Sequence, residues 1–149
     1  MVLTILEALN PTGLTTLLWS SVLHAAFYLY ITYGLIRYMF NDRAVTTDEL
    51  FATGATFTVV AWAFAYLYVA IQVIWPGSFV AAVDPDAPRT WVELLFLSFT
   101  TLTSTGLSDV VPVLPHARAL VMIEQVAGLM YVALVISRIV GLKLYRERT

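Results

Sequence analysis

The chain has 149 residues, 60% of them hydrophobic and only 12% charged, with a formal charge of −2 and no cysteine. Soluble domains carry about a quarter charged residues, so this composition excludes one and reads as an integral membrane protein. The lack of cysteine excludes disulfides, thiolate metal sites and a nucleophilic thiol.

In chain order, the opening MVLTILEALNPTG has no basic leader segment and an acidic Glu7, so it is expected to be retained rather than cleaved. Crossing a hydrocarbon core of roughly 30 Å takes about 20 helical residues, and three apolar stretches are long enough. They are predicted to run from about Leu14 to Phe40, Leu50 to Trp75 and Ala117 to Leu142. Thr46 and Glu49, at the start of the second, have capping-box spacing; Trp75, Pro76 and Gly77 end it with an interfacial aromatic and two helix breakers. The third follows Pro115 and closes among Arg138, Lys143, Arg146 and Arg148. With Arg37 and Arg43 after the first span, and Arg89 and Arg118 set among Asp84, Asp86, Glu93 and Asp109, the positive-inside rule puts the C-terminus in the cytoplasm. An odd number of spans then places the N-terminus outside. Nucleic acid is excluded as a partner.

A fourth apolar stretch, Trp91 to Thr103, lies between the second and third spans. At 1.5 Å per residue it reaches only about 20 Å, too short to cross. Thr90 and Glu93 again have capping-box spacing, so a helix is expected to start at the outer interface and stop inside the membrane. Gly106, Pro112 and Pro115 prevent it from continuing, so the return from Ser104 to Pro115 is expected to be non-helical. Irregular backbone at that depth is tolerated only where it is buried in protein or lines a water-filled cavity.

This order, and the stretch LLFLSFTTLTSTGLSDVVPVLPHARALVMIEQVAGLMYVALVISRIVGL, resembles the pore helix, filter and inner helix of bacterial two-transmembrane-type potassium channels, whose filter reads TVGYGD. The outer helix, with AWAFAYLYVAIQVIWPGSF, is also similar to that family, and STGLS resembles the single-glycine filter loops of Trk/Ktr-type potassium transporters. The resemblance implies an all-α membrane protein of three transmembrane helices plus a re-entrant pore helix and extended filter loop, assembled as a tetramer. Residues 46–149 would be the pore domain, with the outer helix at 50–75, pore helix at 91–103, filter at 104–109 and inner helix at 117–142. Residues 1–45 would add a helix and a cytoplasmic loop, and that helix has no arginine repeat to serve as a voltage sensor.

On the family motif, Thr103 precedes the filter, Ser104 takes the threonine position, Thr105 the valine, Gly106 the first glycine, Leu107 the tyrosine, Ser108 the second glycine and Asp109 the acid. A potassium filter turns successive carbonyls inward, and its glycines allow the left-handed backbone this requires. Ser108 in that conformation would cost about 1–2 kcal/mol in every copy, so the outer half of the loop is expected to take another shape. Leu107 lacks the hydroxyl of the family's tyrosine. The implied function is a tetrameric cation pore, with a monovalent cation, K+ or Na+, held at Ser104, Thr105 and Gly106 and weakened preference for K+. The alternative is a non-conducting channel-like subunit or scaffold with a collapsed filter. No enzyme activity and no cofactor are expected. The partners expected are further copies of the chain and membrane lipid, in a bacterial or archaeal plasma membrane.

Gly128 occupies the hinge position of channel inner helices and reads as a hinge or as a small residue for close packing. Val132, Ile136 and Val140 follow at intervals of four and either line the inner pore or face lipid. Glu124, an ionisable group well inside a span, either supports the filter from behind or sits protonated in the bundle. Asp109 forms a ring at the outer mouth or caps its own turn. Ser98, Thr100 and Thr101 read as hydroxyls satisfied within the pore helix, and His24 and His116 have no metal-spaced partners.

Overall fold

The computed structural model describes residues 13–41 and 47–146. Among the described residues four helices carry the architecture: α1 (Leu14–Asn41), α2 (Thr47–Ile74), a short α3 (Trp91–Leu102) and α4 (Pro115–Arg146). α1, α2 and α4 each contain an apolar run of 24 residues or more, long enough to cross a bilayer, whereas α3 has 12 residues. The chain is an all-helical integral membrane protein in which one short helix is interposed between the second and third long ones. Glu7, Arg43, Arg148 and Thr46, the first residue of the expected Thr46–Glu49 cap, lie outside the described residues.

α3 begins as its sequence predicts. The Thr90 hydroxyl accepts from the Glu93 N–H at 3.3 Å, while the Glu93 carboxylate accepts from the Thr90 N–H at 2.6 Å. The Thr90 hydroxyl and N–H hold the Glu93 carboxyl below the usual carboxylate range. A carboxyl lowered in this way stabilises the fold above its unfolded value of about 4.3, and the contribution disappears as pH falls through the folded value. Glu93→Gln is therefore expected to lower the thermal midpoint at pH 7, and the difference from the parent to close as pH approaches 3.

Between α2 and α3 the chain turns at Gly77, whose φ of 78° is left-handed and open to glycine without strain. It then forms β1 (Phe79–Ala81), antiparallel to β2 (Val110–Pro112), with Phe79 opposite Pro112, Val80 opposite Val111 and Ala81 opposite Val110. The Val113 N–H continues the ladder to the Ser78 carbonyl at 2.9 Å. This clip ties the end of α2 to the start of α4. Trp75 and His116 stack across the same junction with ring centroids 4.2 Å apart.

Buried Arg89 secures the rest of the connection. Its guanidinium donates to the carbonyls of Val83, Asp84 and Ala87 and pairs with Glu93 at 3.4 Å. The Gln72 side chain grips its backbone at both ends, donating to the Arg89 carbonyl at 2.9 Å and accepting from its N–H at 2.8 Å. The start of α3 is thereby fixed to the end of α2.

The core lies where α2, α3, α4 and the clip meet, around Phe64, Tyr68, Phe79, Leu94, Leu97 and Val121. Ala61, Ala63 and Ala65 are fully buried on α2, where small side chains let neighbouring backbones approach. α1 packs along α2 through aromatic contacts, with His24 stacked on Tyr66 at 4.7 Å and Tyr28 set edge-on against Trp62 at 5.5 Å. The Tyr131 hydroxyl joins α4 to α2 by donating to the Thr53 carbonyl at 2.6 Å.

Candidate functional site

The loop from Thr103 to Asp109 begins by folding back on the end of α3. The N–H groups of Thr105 and Gly106 both donate to the Thr100 carbonyl, at 2.9 and 3.0 Å, and the Ser104 N–H donates to the Thr101 carbonyl at 2.9 Å. Carbonyls in the last turn of a helix have no intrahelical donor, and these loop amides satisfy them. Thr103 and Thr105 reinforce the turn: the Thr103 hydroxyl donates to the Phe99 carbonyl at 2.7 Å and meets the Thr105 hydroxyl at 3.0 Å.

This arrangement spends donors and leaves acceptors. No carbonyl from Thr103 to Ser108 accepts a hydrogen bond among the described residues. Thr103, Ser104, Thr105, Gly106 and Leu107 are all exposed, Leu107 by 77%. A run of unpaired carbonyls at the end of an apolar helix, with the exposed Ser104 hydroxyl among them, offers oxygen ligands to a cation.

Left-handed backbone is found at Ser104, φ 59°, and at Gly106, φ 65°, two residues apart. Glycine takes this conformation freely, whereas a serine is held there against a cost of about 1–2 kcal/mol. Ser108 is not left-handed. Its hydroxyl instead accepts from the Val110 N–H at 3.1 Å, a local turn that leads into β2. Within the loop the strained left-handed serine is therefore Ser104 and not Ser108. Asp109 is exposed beside the clip.

Behind the loop, Glu124 is fully buried. Its carboxyl group meets the hydroxyls of Tyr68 on α2 and Ser98 on α3, so one side chain of α4 joins both neighbouring helices. The Ser98 hydroxyl also lies 2.9 Å from the Ala61 carbonyl, so its partners are on α2 and α4 and not within α3 as the sequence suggested, whereas the Thr100 hydroxyl does donate within α3, to the Leu97 carbonyl at 2.9 Å. One hydroxyl proton cannot serve both acceptors, so the knot is complete only when residue 124 contributes a donor.

Gly128 is buried against the last turn of α3. A Cβ there would lie 2.2 Å from the Leu102 carbonyl oxygen, so the two helices cross at a distance that only glycine permits. α4 continues unbroken through this point. Val132, Ile136 and Val140 are exposed by 44%, 56% and 51% on the continuation of the helix, and Met122, Ile123, Val126 and Leu129 are exposed before it. Sequence reasoning did not identify Gln125, which borders a cavity of about 330 Å³ together with Thr101, Ser104, Gly106 and Leu129. An isolated amide within a span is the signal that could have found it.

Residues 54–142, more than half of the chain, match the model of a family described as ion channel. No curated protein and no solved structure matches the chain. The matched segment takes in most of α2, all of α3, the loop with its unpaired carbonyls, and α4 as far as Leu142, and on that match the chain belongs to the ion channel family.

Proposed function

We propose that the chain forms a homotetrameric pore-loop channel that conducts monovalent cations passively, with weaker discrimination of K+ from Na+ than a TVGYGD filter provides. Residues 46–149 form the pore domain, with α3 as pore helix, 104–109 as filter and α4 as inner helix. The observation that carries this reading is the loop in which the amides of Thr105 and Gly106 turn back to Thr100 while the carbonyls from Thr103 to Ser108 accept nothing among the described residues. In a bilayer such carbonyls need a partner, and a permeating cation or its water is the one a pore supplies. The C-terminal end of α3, with its partial negative charge, favours a cation nearby. One loop cannot enclose a path, so several copies must surround it.

Ser104, Thr105 and Gly106 are the proposed cation site, Asp109 an acidic ring at the outer mouth, and Val132, Ile136 and Val140 the lining of the inner half, with Gly128 as the point about which α4 bends. Weak selectivity follows from Ser108, which turns locally toward Val110 instead of extending the left-handed alternation begun at Ser104 and Gly106. The N-terminus is outside and the C-terminus cytoplasmic, placing Arg37 and Arg138 on the positive side.

The test is flux through liposomes of purified protein, compared with Leu107→Tyr combined with Ser108→Gly. The parent is expected to pass K+ with a shallow preference over Na+, and the double variant to raise that preference several-fold. Gly106→Ala, which puts a side chain at φ 65°, is expected to abolish flux. A protein that passes no ion, with Gly106→Ala indistinguishable from it, would instead be a non-conducting subunit or scaffold.

A further inference from the structure

Gln125 is exposed on α4 within the apolar run Pro115–Arg138, one position beyond Glu124, which places it level with Ser98 on the short helix. Its amide makes no hydrogen bond among the described residues, and neither does the Ser104 hydroxyl. Both border the cavity of about 330 Å³ at the base of the loop, with the apolar side chains of Val126 and Leu129 beside them.

An amide carries two donors and an acceptor, and lipid tails can satisfy none of them, so an exposed glutamine at this depth destabilises a lone chain. The loop at Ser104 has the opposite imbalance, more free acceptors than donors. Each surface displays what the other lacks. From this complementarity, and resting on the oligomeric pore proposed above, we infer that Gln125 of one copy hydrogen-bonds the loop of the next copy at Ser104. Gln125 is thus a positioning residue that anchors the neighbour's filter base.

In the ring of copies proposed above, each copy gives Gln125 to one neighbour and receives the amide of the other. A closed ring makes this contact head-to-tail, the same at every junction. The cavity is then a seat for the second copy, and the apolar Met122, Val126 and Leu129, each more than half exposed, are covered in the same step.

The cysteine-free chain makes this testable without background. Gln125→Cys and Ser104→Cys are introduced together, and membranes are treated with a short bifunctional thiol reagent. The inference predicts a ladder running beyond the dimer to the closed ring, because every chain links to two neighbours. Either single variant can yield at most dimers. Cross-links confined within single chains, or a ladder that stops at the dimer, would overturn it. Light scattering of the unmodified protein, against a chain mass of 16.6 kDa, separates the two levels of the argument. An oligomer without the ladder removes the Gln125 contact alone, whereas a monomer removes the pore as well. Gln125→Met, of similar length but without donors, should dissociate at lower SDS than the parent, and Gln125→Asn should dissociate between the two. Equal resistance of all three would also overturn the inference.

Discussion

Gly128→Ala is expected to separate α4 from the end of α3 and to lower the stability of the folded chain by about 3 kcal/mol, the upper part of the range for overpacking. The reason is the nature of the obstacle. The added methyl would lie 2.2 Å from the Leu102 carbonyl oxygen and 2.9 Å from its carbon, and both are backbone atoms with no rotamer to change. Relief requires α4 to move away or the last turn of α3 to unwind, and that turn holds the Thr100 and Thr101 carbonyls to which the loop amides are tied. Stability and ion flux should therefore fall together. The check is the midpoint of unfolding in detergent with flux on the same preparation, and Gly34→Ala serves as control because a Cβ there meets nothing within 4 Å.

Replacement of Glu124 should split by hydrogen-bonding capacity rather than by charge. Leucine fills comparable space but leaves the buried Tyr68 hydroxyl without its carboxyl partner, which costs about 1–3 kcal/mol for an orphaned buried group. It also frees α4 from a side chain that holds both α2 and α3. Glutamine can accept from Tyr68 and donate toward Ser98, whose own proton then goes to the Ala61 carbonyl at 2.9 Å. Glu124→Gln is accordingly expected to stay within about 1 kcal/mol of the parent while Glu124→Leu unfolds at clearly lower temperature or denaturant. Equal loss in both would mean that the carboxylate charge itself holds the knot.

Features that depend on residues close in sequence could be read in advance. Membrane spans follow from the length of apolar runs, and the Thr90–Glu93 cap follows from a three-residue spacing that has a single geometric use. The non-helical return was equally legible, because glycine and proline at 106, 112 and 115 act on their own backbone. Partnerships across the chain were not. Glu124 gives no indication that Tyr68 and Ser98 complete it, since these come from other helices. β1 and β2 are three residues each, too short for alternation to reveal, and their pairing depends on how α2 and α4 bring the ends together.

The loop shows the same limit at finer scale. Left-handed backbone at Gly106 is the natural use of glycine, but nothing local marks Ser104 for it. Ser104 is forced there because its own N–H and the next two all serve carbonyls in the last turn of α3. At Ser108, where left-handed backbone would be strained, the hydroxyl provides an alternative that the chain takes. Gly128 combines both cases, with the residue visible in the sequence and its reason visible only at the crossing with Leu102.

The most direct measurement is the reversal potential of the purified protein in a planar bilayer with K+ on one side and Na+ on the other. A loop with left-handed backbone at Ser104 and Gly106 and a local turn at Ser108 predicts a measurable cation current that reverses at a potential only modestly displaced toward K+. A current that reverses near the K+ equilibrium potential, or no current at all, would contradict it.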